Sequence, residues 1–158
     1  MIEIVTVKGR SMEPTLADGE QLLAWRTLGK RGFKLHTIVT LDHFYLEVPE
    51  AFLVSPQYPS WRQEMAVVAS ELYIKRIIGL PGDMVSLPIT SISPNGKARL
   101  HPTVKCRTNE YVCHIPENHL FVKGDGQIST DSVVWGPIPI SSIRHIVLCR
   151  YPSLRRIR

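Results

Sequence analysis

Ile2-Glu3-Ile4-Val5-Thr6-Val7 opens the chain as an alternating run rich in β-branched residues, and Lys8-Gly9 then breaks it. Period-two patterning of this kind predicts a half-buried strand ending in a turn. The pattern recurs at Glu20 to Trp25, Thr37 to Leu41, Ala66 to Ile78, Met84 to Leu87, His119 to Lys123 and Ile143 to Cys149. Twelve prolines and ten glycines punctuate these runs and disfavour long helices. The expected fold is therefore mainly β: an antiparallel folded sheet or partly open barrel with few short helices. The 158 residues make one domain, 1–158. Two irregular insertions interrupt it. One lies near 49–63, where Pro49, Pro56 and Pro59 fall among polar residues, and the other near 91–108, a hairpin or flap turning at Pro94-Asn95-Gly96.

Composition narrows the class. At 44% hydrophobic the chain can build a core, which excludes intrinsic disorder and fibrous or low-complexity classes. No stretch of about 18 uncharged apolar residues is present to cross a membrane as a helix. Glu3, close behind Met1, and the lack of an apolar h-region argue against a cleaved leader. Cys106, Cys113 and Cys149 make neither a disulfide framework nor a C-x-x-C zinc pair. They read as free thiols, with a Cys106–Cys113 bridge as the alternative in an oxidising compartment. No metal or cofactor is expected. The net charge is +5, and Arg144, Arg150, Arg155, Arg156 and Arg158 crowd an acid-free C-terminus. That tail reads as a solvated, frayed terminus, or as a contact for anionic lipid or a protein partner. Nucleic acid is not expected, because no aromatic stacking platform or helix-turn-helix accompanies the charge.

Three clusters can carry chemistry. In Gly9-Arg10-Ser11-Met12-Glu13-Pro14-Thr15-Leu16, Ser11 sits between a glycine-led turn and Pro14. A nucleophilic serine needs its hydroxyl held on a rigid turn with backbone N–H groups nearby for an oxyanion. A turn or capping serine fits the same residues. In Tyr73-Ile74-Lys75-Arg76-Ile77-Ile78-Gly79-Leu80-Pro81-Gly82-Asp83, a lysine lies inside an apolar strand that ends in a tight turn. Burial would lower its pKa and make it a general base, whereas a strand-edge lysine would simply snorkel to water. The third cluster, Gly124-Asp125-Gly126-Gln127-Ile128-Ser129-Thr130-Asp131-Ser132 before Trp135-Gly136-Pro137, is a polar loop able to orient a neighbouring side chain or to serve as an ordinary turn.

Taken together and in this order, the clusters resemble the type I signal peptidases, which are serine–lysine proteases. S-M-E-P-T-L is similar to their nucleophile box, Y-I-K-R-I-I-G-L-P-G-D to their lysine box, and G-D-G-Q-I-S-T-D-S with W-G-P to their last box. The resemblance covers about half the chain. Within the family, V-K-G-R-S-M-E-P-T-L, I-P-E-N-H-L-F-V-K-G-D and W-G-P-I look most like the mitochondrial inner membrane peptidases, especially the second subunit. It implies Ser11 as nucleophile and Lys75 as unprotonated base, with the Ser11 N–H as one oxyanion donor. Many bacterial members place a serine two positions before the nucleophile, where this chain has Gly9. Ser129 would orient Lys75, Met12 would shield its amine, and Asp125, Asp131 and Arg76 would brace the site.

The same resemblance implies a membrane-associated endopeptidase that removes signal or sorting peptides after small residues. Its partners would be precursor proteins, the membrane surface and a second peptidase subunit. Its place would be the inner mitochondrial membrane, facing the intermembrane space, or the outer face of a bacterial plasma membrane. Ile2, Ile4, Val5 and the C-terminal arginines are expected to make the membrane contact. The family's N-terminal anchor is not seen upstream of the first strand, which implies a truncated product or attachment through a partner.

Several departures keep an inactive scaffold homologue as the alternative. Gly126 replaces the usual Asn, the loop to Ser129 is shorter by one residue, and the Gly-Asp turn before Ile38-Val39 reads His36-Thr37. Val133 replaces an arginine, so Asp131 is expected to turn to Arg76. A Ser-His-Asp triad is a weaker rival, since none of the histidines falls in the three boxes. The self-cleaving domain of SOS-type repressors is another, but it lacks L-P-G-D after the lysine.

Overall fold

In the computed structural model, which describes residues 1–27, 32–42, 72–88, 105–107, 110–127 and 129–157, the opening alternation becomes the edge strand β1 (Ile2–Thr6). Glu3 and Val5 turn inward while Ile2, Ile4 and Thr6 face out. The other expected runs follow as β2 (Gln21–Arg26), β3 (Ile38–Asp42), β4 (Leu72–Gly79) and β5 (Met84–Pro88). Then come β6 (Lys105–Arg107), β7 (Glu110–His114), β8 (His119–Lys123), helix α1 (Ser132–Trp135), β9 (Ile138–Pro139) and β10 (Ile143–Tyr151). The pairing is antiparallel throughout. Seven strands form one sheet in the order β1-β2-β10-β3-β4-β8-β9, and β5-β7-β6 form a second. Among the described residues, β1 and β9 stand at the ends of the large sheet. The class is mainly antiparallel β with very little helix, as the alternation implied.

Some elements depart from the sequence reading. Strands β7 and β9 lie outside the runs read as strands, whereas β6 falls at the end of the expected 91–108 hairpin and the single turn of α1 fits the expectation of few short helices. The insertion near 49–63, the first residues of the run from Ala66, and the Pro94-Asn95-Gly96 turn lie outside the described residues. Cys113 is a buried free thiol, so it does not bridge to Cys106, and Cys149 is free as well.

Apolar side chains gather in three clusters. Val39, Leu41, Ile77, Leu120, Val122, Trp135, Ile138 and Ile143 fill the first. The second joins Val7, Met12, Leu16, Leu22, Ile38, Ile74 and Val147, and so ties the segment after β1 to β4. The third, with Val85, Ile115 and Phe121, lies beneath the small sheet. A polar thread runs beside the second cluster. Thr40 Oγ1 and His145 Nδ1 are 2.7 Å apart, and His145 Nε2 lies 3.2 Å from Glu3 Oε2. It passes Ala24, the register partner of Glu3, whose methyl group leaves room for it. The two ring nitrogens thus each face one polar partner, Thr40 on one side and Glu3 on the other.

Residues 151–156 of the tail are exposed, yet a turn holds the described tail in place. The Leu154 N–H donates to the Arg150 carbonyl and the Arg150 N–H to the Arg155 carbonyl, closing a turn that lays Ile157 against the second cluster. Arg144 pairs with Asp42 and Arg150 with Glu20, so half-buried carboxylates hold two of the tail's arginines.

Leu120, fully buried under α1, gives a direct check on the core. Leu120→Ala should destabilise the protein by about 2–5 kcal/mol. Urea unfolding would show this as a lower midpoint with little change in slope.

Candidate active site

Ser11 lies in a tight turn after β1. The Gly9 N–H donates to Asp18 Oδ1 at 2.8 Å, the Glu13 N–H to the Arg10 carbonyl at 3.1 Å and the Leu16 N–H to the Met12 carbonyl at 2.9 Å. Gly9 takes φ +78°, a left-handed value natural to glycine. Met12 and Leu16 anchor the turn in the second cluster beside Ile74. The Ser11 N–H donates to no acceptor among the described residues, so it remains available to a developing oxyanion. The Gly9 N–H, held by Asp18, supplies no second donor in this arrangement.

Lys75 comes from the middle of β4, paired with Val39 of β3. Only 2% of it is exposed, and its Nζ donates to Ser11 Oγ at 2.8 Å although 64 positions separate them. The Tyr73 ring centroid lies 5.9 Å from the amine, and Tyr73 meets Trp135 edge-on. Burial lowers the Lys75 pKa from 10.5 to about 8. The charges of Asp131 and Asp125 oppose that shift, and Lys123 adds to it. A lysine with this pKa is unprotonated for a useful fraction of the time near neutral pH, which a general base requires.

The loop after β8 closes the site. The Gly126 N–H donates to the Ser11 carbonyl at 2.8 Å. Two glycines permit so close an approach. A Cβ at position 124 would stand 2.1 Å from Ser129 Oγ and 2.5 Å from the Ser11 carbonyl oxygen, and one at 126 would stand 2.6 Å from the Arg10 carbonyl oxygen. The absence of the family's usual Asn at 126 thus has a local steric reason. Asp125 accepts a forked pair from Arg76, Nε at 2.9 Å and Nη2 at 2.7 Å, and the Arg76 Nη1 also reaches the His36 carbonyl. Burial pushes the Asp125 carboxyl up. Hydrogen bonds from Arg76 and Thr15, with the charges of Arg76 and Lys123, outweigh it and hold the pKa below the ordinary carboxylate value.

The structure alters two sequence assignments. Asp131 was expected to turn to Arg76, whose fork goes to Asp125. Asp131 instead accepts from the Gly124 N–H at 3.0 Å and the Val133 N–H at 3.1 Å, capping α1. Backbone donors meet its need, so Val133 costs it nothing and packs in the third cluster. Ser129 was expected to orient Lys75. Its Oγ is buried without a hydrogen-bond partner among the described residues. The shorter loop brings the residue beside Gly124 without a bond to the amine.

Sequence reasoning missed Thr15, which reaches Asp125, and the Arg150–Glu20 pair. Thr15 was within sight, inside the serine box, but 130 positions separate Arg150 from Glu20 and no local pattern links them. Beside the serine turn, Arg10, Glu13, Pro14, Gly126 and Gln127 line an open pocket of about 420 Å³. Among the described residues, no histidine bonds Ser11, and no group of three or more His, Cys, Asp or Glu side chains could hold a metal ion.

Comparison with known proteins supplies the context. The family model described as "Signal peptidase, peptidase S26" matches residues 1–151 of the 158. The chain belongs to this family. Its relatives include signal peptidase I of Bacillus licheniformis, 31% identical over 146 residues, covering 84% of this chain and 66% of that protein. Mitochondrial inner membrane protease subunit 1 of Xenopus tropicalis is 28% identical over 151 residues, or 94% of this chain and 68% of that protein. Subunit 2 from Saccharomyces cerevisiae is 29% identical over 141 residues, or 87% of this chain and 61% of that protein. The chain thus spans about two thirds of the length of these signal peptidase relatives.

Two outcomes follow from the packing. Gly126→Asn, which restores the family's usual residue, should lower stability and disturb the Ser11 carbonyl contact, read as a lower unfolding temperature. Lys75→Met should raise stability by about 3 kcal/mol near pH 7, the free-energy equivalent of the lowered lysine pKa. The sign follows from a folded-state pKa of about 8 against 10.5 for the free side chain. The penalty of the buried charge is complete below pH 8 and fades as pH rises to 10.5. Denaturant midpoints of the two proteins should therefore converge at high pH.

Proposed function

We propose that the protein is a serine endopeptidase that removes signal or intermembrane-space sorting peptides by a Ser11–Lys75 dyad. The observation that carries this reading is the 2.8 Å bond between a buried lysine amine and a serine hydroxyl on a rigid turn. Neutral Lys75 takes the Ser11 proton as Oγ attacks the scissile carbonyl carbon. The Ser11 N–H receives the oxyanion, and the protonated lysine returns the proton to the departing amine. Water activated by the same lysine then hydrolyses the acyl-enzyme, which regenerates Ser11 and leaves a free carboxylate on the peptide. Gly126 fixes the peptide plane of Ser11, Met12 packs over the site, and the Arg76–Asp125 pair braces the loop.

Precursor proteins are the substrates in this reading. The inner mitochondrial membrane, on its intermembrane-space side, is the proposed location, with the outer face of a bacterial plasma membrane as the alternative. The mitochondrial relatives named as subunits support a second peptidase subunit as partner. Ile2, Ile4 and Trp25, each about half exposed at 51%, 52% and 50%, offer an apolar strip for the membrane surface. Val5, expected to join it, instead packs inward against the second cluster. No helix among the described residues is long and apolar enough to cross a membrane. The unpartnered Ser129 favours the second reading, a catalytically inactive homologue acting as a scaffold.

Cleavage of a precursor peptide decides between them. Ser11→Ala and Lys75→Ala should each lower kcat by several orders of magnitude while the fold persists by circular dichroism. Arginine at 75 should not rescue, because guanidinium stays protonated. A wild-type protein that cleaves no precursor, alone or with its partner subunit, favours the scaffold. In the active protein kcat should rise about tenfold per pH unit below the lysine pKa and level off above about pH 8. A flat profile with chemistry limiting would remove Lys75 as base. Sedimentation with anionic vesicles should be strong at low salt and weaken in Ile2→Ser/Ile4→Ser, and loss of neither binding nor lipid activation would assign the membrane contact elsewhere.

A further inference from the structure

We propose that Arg150, with the C-terminal arm it anchors, is a positioning residue for the turn that carries Ser11. The inference deepens the peptidase reading above and rests on it. Arg150 lies near the end of β10, outside all three sequence boxes. Its Nη2 donates to the Thr15 carbonyl at 2.5 Å and its Nε to Glu20 Oε1 at 2.5 Å. The other oxygen of Glu20 accepts from the Ala17 N–H at 3.0 Å. One guanidinium thus holds the distal half of the serine turn at two points, directly at Thr15 and through Glu20 at Ala17.

Thr15 is the junction. Its carbonyl receives Arg150, and its side chain helps to hold down the pKa of Asp125, the partner of Arg76 next to Lys75. Polar groups therefore link the C-terminal arm to the nucleophile turn, whose Thr15 lies beside the pair that Asp125 makes with Arg76 on the strand of the base. Apolar packing parallels this link, because Ile157 lies against the cluster that holds Met12 and Leu16. The bonds are charge-assisted and the head is only 31% exposed, so water competes weakly for them. A rigid planar fork is needed to reach a carboxylate and a carbonyl at once, which a single ammonium does not match. Since a nucleophile displaced by about 1 Å can lose roughly a hundredfold in rate, bracing at this turn bears directly on turnover.

Arg150→Met and Arg150→Lys, with exposed Lys34→Met as control, test the assignment. Arg150→Met should lower kcat tenfold or more with KM within about twofold, after correction for any unfolded fraction. Arg150→Lys keeps the charge opposite Glu20, guards against misfolding, and should fall between the two. The titration midpoint of Lys75, followed by NMR of isotope-labelled lysine, should move upward from about 8 in both variants, because a looser turn admits water to the amine. Lys34→Met should match the wild type in every measurement. Wild-type kcat in folded Arg150→Met and Arg150→Lys, or a loss that equals the unfolded fraction while the Lys75 midpoint stays put, would overturn the role. The midpoint needs no turnover: a wild-type protein that cleaves nothing refutes the peptidase reading, while an unmoved midpoint refutes the positioning role.

Discussion

The amine of Lys75 is kept out of water and offered one hydroxyl. A lysine charge in a low-dielectric interior is unfavourable, so the group tolerates burial by giving up its proton more readily. The sheet supplies the dry surroundings: β3 and β8 flank β4, the Tyr73 ring lies near the amine with Trp135 edge-on to it, and Met12 packs with Ile74 in the second cluster. Burying the amine costs stability and lowers its pKa, the property that the proposed base role requires. The site is therefore a local weak point of the fold, consistent with strained or costly groups concentrating where chemistry is done.

Most of the sheet could be read from the sequence, because its strands bury one face and alternate accordingly. Strand β8 was placed to the residue, and β1, β2 and β3 to within about one position at each end. The pieces read only in part or not at all are short or carry weak patterns. Strand β6 is Lys105–Arg107, with charge at both ends, and β9 is two residues held by pairing with β8. Nothing within either segment specifies a strand, and tertiary pairing decides both.

The site was legible where its chemistry is local. Ser11 and Lys75 sit in boxes whose turns and apolar neighbours are adjacent in sequence, and the fold brings the two together. The supporting residues were less legible, since a side-chain need can be met by backbone that sequence does not display. Asp131 illustrates this: its carboxylate caps a helix turn through backbone N–H groups that any residue but proline would offer at 133. Ser129 shows the converse: its hydroxyl is buried beside Gly124 with no hydrogen-bond partner among the described residues. Arg150 and Glu20 meet across 130 positions, and only the folded sheet joins them.

The Glu3–His145–Thr40 thread bears on strand slippage. An apolar sheet face is tolerant: sliding one strand by two residues returns greasy side chains to greasy neighbours. Buried polar groups lack that tolerance, because a slipped register leaves an imidazole and a hydroxyl without partners in a dry interior. The thread crosses from β1 to β10 to β3, so a two-residue error in any of these pairings is penalised. Val39 of β3 stands opposite Lys75 only in the native register. A histidine outside the serine turn thus helps ensure that the chain reaches a single alignment, the one that sets the Lys75 amine against the Ser11 hydroxyl.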